Sequence, residues 1–296
     1  MRRFILLLGA GALIGGAAFW QITQPRPLAA ALFDGVTGDA NRGQTVFTAA
    51  GCASCHMAPG AEAEAQLVLA GGQAFASDFG TFYAPNISPD PTSGIGGWSV
   101  TDLANALMRG ISPDGAHYYP ALPYWSYARM QPQDLADLHA YLVSLPADAT
   151  ANTAHDIGFP FSIRRLLGGW KFLNRQTDFV VQGDLSPEET RGRYLAEALA
   201  HCGECHTPRN ALGGLQTGRW LAGARNPDGK GSAPNITPAK LGWSESEIVE
   251  YLTSGFTPDY DSVGGHMAHV VENMAQLPEA DRRAIAAYLK RVPAAE

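Results

Sequence analysis

The chain holds four cysteines, and they fall as two pairs with the same spacing: Cys52-Ala-Ser-Cys55 and Cys202-Gly-Glu-Cys205. Cysteines two residues apart serve disulfides, zinc sites or thiol redox centres. The next residue separates this chain from those uses: His56 follows the first pair and His206 the second. In Cys-x-x-Cys-His the two thiols add across the vinyl groups of a haem, and the histidine is left under the iron as proximal ligand. Two copies with no cysteine left over predict two covalently bound haem c groups. Cys52, Cys55, Cys202 and Cys205 would carry the thioether links, and His56 and His206 would hold the irons. With 33 glycines and 20 prolines, much of the chain should be loop, and a large apolar cofactor would help to hold it together. Charged residues are only 17% of the chain and the net charge is −7, which argues against nucleic acid as a partner.

The pairs sit in a longer internal repeat. After His56 come Ala84-Pro85-Asn86-Ile87-Ser88-Pro89 and Gly97-Trp98-Ser99; after His206 come Ala233-Pro234-Asn235-Ile236-Thr237-Pro238 and Gly242-Trp243-Ser244. Each series ends in a helical segment, Ala140-Tyr141-Leu142 or Ala287-Tyr288-Leu289. Ser244 with Glu247, and Ser99 with Asp102, read as capping boxes. Gly110 and Gly255 read as helix ends, and Pro132 and Pro278 as starts of the last helices. No segment shows the sustained alternation of a sheet strand. The expectation is an all-α protein of two tandem domains: a leading segment over 1–35, a first domain over 36–146, a linker over 147–185 and a second domain over 186–296.

Two arginines precede an apolar run from Phe4 to Trp20. The run is longer than the ~7–15 residues of a cleaved signal core and at the short edge of the ~17–25 of a membrane helix. An uncleaved anchor is expected, with export of the rest; Ala29-Ala30-Ala31 is the alternative cleavage site, which would leave the protein soluble. Within the linker, Phe159-Pro160-Phe161-Ser162-Ile163-Arg164-Arg165-Leu166-Leu167 and Trp170-Lys171-Phe172-Leu173 mix apolar and basic residues. Packing between the domains is the expected use, and contact with a partner or a membrane surface the alternative.

The sixth iron ligand should lie in the loop before each last helix. In the second domain that loop is Val263-Gly264-Gly265-His266-Met267-Ala268-His269, and Met267 is the expected ligand, because a thioether opposite histidine suits electron transfer. His266 and His269 are alternatives, and Met274 is expected in the core. In the first domain Leu122-Pro123 stands where a Met-Pro pair would be expected. Met130 is then the expected ligand, with His117 or an open iron as alternatives. Aligned on Tyr141 and Tyr288, Met130 falls opposite Leu277, which supports a packing role for it.

At these motifs, together with Gly94-Ile95-Gly96-Gly97-Trp98, Ser112-Pro113-Asp114-Gly115, Thr207-Pro208-Arg209-Asn210 and Gly255-Phe256-Thr257-Pro258-Asp259, the chain resembles the diheme c-type cytochromes of bacterial periplasmic dehydrogenase systems. Those serve alcohol, sugar-acid or molybdenum-hydroxylase dehydrogenases. The resemblance implies class I cytochrome c folds and an electron carrier rather than an enzyme. It would take electrons from a dehydrogenase towards a cytochrome or oxidase acceptor, on the periplasmic side of the inner membrane. It also implies that a proline carbonyl, of Pro85 or Pro234, takes a hydrogen bond from the proximal histidine; a plain loop turn is the equal alternative. Trp98 and Trp243 are expected to shield a haem or cap the next helix. In many relatives a methionine stands at the place of Leu122; in others the later one, matching Met130, is kept. An open first iron would favour the alternative of a diheme peroxidase or thiosulfate-type oxidoreductase.

Overall fold

A computed structural model describes residues 2–295; Met1 and Glu296, the outer limits of the first and last expected segments, lie outside the described residues. Helix α1 (Arg2–Ile22) is apolar along its length, and none of its span Arg3–Ile22 is buried against the rest of the chain. The first repeat follows with α2 (Ala40–Ala50), α3 (Cys52–His56), α4 (Val100–Ala104, prolonged by a π turn over Asn105–Arg109), α5 (Tyr124–Tyr127) and α6 (Pro132–Leu142). Helix α7 (Leu166–Leu173) lies between the repeats. The second repeat holds α8 (Pro187–Tyr194, prolonged by a π turn over Leu195–Leu199), α9 (Gly203–His206), α10 (Glu245–Ser254), α11 (His266–Ala275) and α12 (Glu279–Arg291).

The helix ends follow the local chemistry. Ser99 and Ser244 form capping boxes with Asp102 and Glu247. Gly110 and Gly255 close their helices in the left-handed region, at φ +60° and +79°. Pro132 opens α6 and Pro278 precedes α12.

In each repeat the first helix crosses the last so closely that a glycine is required. A Cβ on Gly43 would stand 1.9 Å from the Asp137 carbonyl oxygen of α6, and one on Gly192 would stand 1.8 Å from that of Ala284 on α12. An ion pair fastens each crossing: Arg42 with Asp137 at 2.7 Å and Arg191 with Asp281 at 2.8 Å. One more residue separates Gly192 from Cys202 than Gly43 from Cys52. The π turn over Leu195–Leu199 takes up that extra residue, as a single insertion into a helix does. Leu135, Leu138, Leu195, Ala286 and Tyr288 are fully buried in one core that continues through both repeats.

The expectation of a strictly helical protein needs correction. The chain is mostly helical, but β1 (Ala74–Ser77) and β2 (Gly80–Tyr83) form an antiparallel hairpin, extended by β3 (Asp156–Ile157) along β2. A smaller pair, β4 (Ala224–Arg225) and β5 (Ser232–Ala233), occupies the second repeat. These strands are two to four residues long, too short to carry the alternating pattern that betrays a strand. The linker also departs from expectation. Phe159 is 84% exposed, Phe172 65% and Leu173 70%, so these groups do not fill a core between the repeats.

The crossing geometry predicts that Gly192→Ala costs about 3 kcal/mol, since the new methyl meets backbone that cannot move aside. Exposed Gly242, with nothing within 4 Å of an added Cβ, is the matched control. Chemical denaturation of both variants checks this; equal midpoints would refute the close crossing.

Candidate haem-attachment sites

Each Cys-x-x-Cys-His motif forms one turn of helix directly after a left-handed residue, Gly51 at φ +62° in the first repeat and His201 at φ +43° in the second. The turn brings both thiols of a pair to one side. Cys52 and Cys202 are half-buried, Cys55 and Cys205 open to the surface, and none of the four forms a disulfide. Burial pushes the Cys52 and Cys202 thiols up to about 12. A redox or nucleophilic pair does the reverse, lowering its thiol to favour thiolate. Among the described residues no group of three or more His, Cys, Asp or Glu side chains is arranged to hold a metal ion.

The histidine rings are oriented identically. His56 Nδ1 lies 2.8 Å from the Pro85 carbonyl oxygen, and His206 Nδ1 lies 2.8 Å from that of Pro234. A carbonyl accepts only, so Nδ1 carries the proton and Nε2 keeps a free lone pair, the state a metal-bound imidazole needs. Burial lowers the pKa of both imidazoles, which also favours the neutral ring. This donor set fits haem c: paired unbridged thiols on one turn, and a neutral histidine beside them with its outer nitrogen free.

The remainder of the Pro-Asn segment holds the carbonyl in place. Asn86 donates to the Asp148 and Thr150 carbonyls and accepts from Ser88 N, while Asn235 donates to the Ala295 carbonyl and accepts from Thr237 N. Beneath each proline runs a glycine with positive φ, Gly71 or Gly223, whose N–H donates 2.7 Å to the carbonyl of His56 or His206. A Cβ on Gly71 would stand 2.5 Å from Pro85 C, so the residue must be glycine. The tryptophan carbonyls bind the last helices: Trp98 O accepts from His139 Nε2 at 2.9 Å, and Trp243 O accepts from Lys290.

The segments before the last helices hold the candidates expected for the sixth ligand, called distal segments below. Met267 is half-buried on the first turn of α11 and packs against the core. His266 is exposed, and His269 is bound to Glu272 at 3.1 Å. Met274 is in the core, as expected. A bridge between Ile111 and His117 in the first repeat matches one between Phe256 and Ser262 in the second. Counted from these bridges, Leu122 occupies the place of Met267. Met130 is 3% exposed just before α6, the place that Leu277 holds before α12. His117 is fully engaged: Nε2 lies 2.9 Å from Thr23 O and Nδ1 3.2 Å from Lys171 Nζ, so neither nitrogen is left for iron.

The two attachment turns also face one another, a feature that sequence reasoning missed. Ser54, inside the first motif, accepts at 2.9 Å from Asn273 of α11. Glu204, at the same motif position in the second, accepts at 3.2 Å from Ser126 of α5. Counted back from Tyr141 and Tyr288, Ser126 and Asn273 stand at one equivalent position. Each motif is therefore docked on the distal segment of the other repeat, by equivalent residues. The Cys55 and Cys205 thiols are near enough that Cys205, after burial, raises Cys55 to about 11. Further cross-links are Arg129 with Glu197 at 4.0 Å, Tyr194 with Asp134, and the Tyr127 ring on that of His201 at 5.5 Å.

The comparisons agree with this geometry. A family model described as Cytochrome c matches residues 40–146 and 190–293. A diheme cytochrome c-type protein of Cereibacter sphaeroides is 60% identical over 296 residues, the whole of both chains. The fructose dehydrogenase cytochrome subunit of Gluconobacter japonicus is 40% identical over 283 residues, which is 93% of this chain and 56% of that one. The alcohol dehydrogenase (quinone) cytochrome c subunit of Gluconobacter oxydans is 39% identical over 267 residues, 86% of this chain and 54% of that one. The chain thus spans about half the length of these two dehydrogenase subunits.

Asn86→Ala and Asn235→Ala are each expected to cost about 3 kcal/mol, at roughly 1 kcal/mol for each hydrogen bond removed, since Asn235 also accepts from Thr237 Oγ1 and so makes three bonds as Asn86 does. Denaturation midpoints of the two variants test this; a loss below about 1 kcal/mol in either would contradict the account of the Pro-Asn segment.

Proposed function

Since the chain belongs to the cytochrome c family and is an electron-transfer protein with two covalently bound haem c groups, we propose that it serves as the cytochrome partner of a periplasmic dehydrogenase, passing electrons on to a respiratory acceptor. The observation that carries this reading is the pair of equivalent motif turns, each with its histidine held through Nδ1 by a proline carbonyl. The dehydrogenase cytochrome subunits it resembles support the choice of donor class. They are electron-transfer subunits and do not favour the peroxidase or thiosulfate-type alternative.

In this reading the modules are residues 36–146 and 186–296. Cys52, Cys55, Cys202 and Cys205 hold the porphyrins, and His56 and His206 bind iron through Nε2. Bound haem supplies a one-electron iron couple. The chain's own groups fix each imidazole and hold the two attachment turns together through Ser54, Asn273, Ser126 and Glu204. Helix α1 is read as a membrane anchor, supported by its length, its composition and its complete exposure.

Met267 is assigned as the sixth ligand of the second haem. Its place at the start of α11, half-buried against the core in the segment before the last helix, supports this. Met130 is assigned to the first haem. It follows Tyr127, which lies against the first motif and donates to Ala50 O, and the engagement of His117 leaves no competing imidazole in that segment.

Met267→Ala is expected to turn one of the two haems high-spin and to lower its reduction potential, because a thioether opposite histidine raises it. An optical redox titration with unchanged spectrum and potentials would remove Met267 as a ligand. Met130→Ala is expected to do the same to the other haem; a low-spin spectrum retained there would place Met130 in the packing role that Leu277 has in the second repeat.

A further inference from the structure

Helix α7 is turned inside out relative to a helix of a water-soluble surface. Its one charged residue, Lys171, points inward, with Nζ 2.7 Å from Arg109 O, 2.6 Å from Gly110 O and 3.2 Å from His117 Nδ1. Its large apolar residues Phe172 and Leu173 point outward, 65% and 70% exposed. Phe159 and Phe161, on the approach to α7, are also exposed, and Leu212 of the second repeat adds to them through its carbonyl, which accepts from Trp170 Nε1 at 2.6 Å. A surface of this kind on a soluble protein marks an interaction site.

Its position says what it meets. Helix α7 is built onto the C-terminal end of α1. A Cβ on Gly168 would lie 2.5 Å from Thr23 O, so the two backbones are in contact. Arg165 donates to Thr23 Oγ1 and to Trp20 O, both at 2.8 Å, and its guanidinium covers the Trp20 ring at 4.2 Å. The exposed apolar groups therefore sit where the apolar span of α1 ends. Charge agrees as well: besides the inward-turned Lys171, residues 157–177 contain Arg164, Arg165 and Arg175 and no acidic residue, in a chain of net charge −7. Aromatic and apolar groups beside arginines suit the boundary between acyl chains and anionic headgroups.

We propose that the surface formed by Phe159, Phe161, Phe172, Leu173 and Leu212 lies in the interfacial layer of the bilayer that α1 crosses, as a second membrane contact which fixes the orientation of the haem modules to the membrane. This rests on the reading of α1 as an anchor. The contact turns a tether into a platform: α1 alone would leave the modules free to swing, whereas α1 together with α7 holds one face down.

The test uses the full-length, haem-loaded protein in vesicles of phosphatidylcholine with phosphatidylglycerol. Single spin labels are placed by Phe159→Cys, Phe172→Cys and Leu173→Cys, with Leu8→Cys inside α1 and Glu188→Cys on exposed α8 as references. Haem absorbance verifies loading, and the labelled side chains are exposed, so the core is untouched. The three linker labels are expected to collide more with oxygen than with a water-soluble nickel chelate, as Leu8→Cys does, while Glu188→Cys shows the opposite. Linker labels that behave like Glu188→Cys while Leu8→Cys stays in lipid overturn this proposal and leave the anchor standing. If Leu8→Cys is also in water, both readings fall. Lipid contact at the linker after loss of the α1 segment would keep the surface and remove the anchor. Linker labels shielded only when a dehydrogenase catalytic subunit is added would make the surface a protein-docking site, and the proposal would fail.

Discussion

A proline carbonyl set 2.8 Å from a histidine ring nitrogen is the contact on which each half of this molecule depends. A single helical turn delivers the histidine, but it cannot by itself fix the ring about its side-chain bonds. The carbonyl does so and also decides which nitrogen carries the proton. To hold that carbonyl still, the chain needs a short, stiff loop bound at both ends. Asn86 ties it to the start of the linker and Asn235 to the C-terminal stretch of the second repeat, and Gly71 and Gly223 let the backbone pass directly beneath. A motif of five residues therefore dictates the course of a segment almost thirty residues away.

The two halves solve the same problem with different sequences. The second has an extra residue before its motif and stores it as a π turn, then enters the motif through His201 where the first uses Gly51. His201 lies at φ +43°, a region in which histidine is commoner than most side chains. Its ring rests on Tyr127 of the other repeat, a contact that offsets part of the cost. On the distal side the halves diverge most. Helix α11 carries Met267 on its first turn, whereas α5 is a single turn with Leu122 ahead of it. The protein surroundings of the two sites are therefore unequal on that side.

Much of this was legible in the chain itself. The two motifs, the repeat, the capping boxes at Ser99 and Ser244, the closing glycines 110 and 255 and the proline starts are local signals, and each lies where local chemistry put it. The features that were not legible depend on what meets what. Gly43 and Gly192 look like ordinary weak points in a helix until the facing carbonyl is known. The hairpin of β1 and β2 is too short to show a pattern. The linker's apolar groups invited burial because apolar groups usually find a core, but Lys171 took the inward position through three hydrogen-bond acceptors and turned Phe172 and Leu173 outward. His117 was lost as a ligand candidate for the same reason, since the lysine and Thr23 occupy both its nitrogens.

The docking of each motif on the other repeat explains why two modules behave as one body. Ser54 meets Asn273 and Glu204 meets Ser126, so the same two positions supply both ends of the interface, as in a symmetric dimer whose halves have become one chain. Such an interface makes two equivalent contacts at once, and the buried Arg129–Glu197 pair and the shared core fix its register. It also braces the segments before the last helices against the attachment turn of the neighbour. The corresponding helix of the first module is a single turn, and it is braced from several sides: Tyr127 donates to Ala50 O, Arg129 donates to Asp178 O and Glu197 O, and Lys171 lies over the Tyr124 ring.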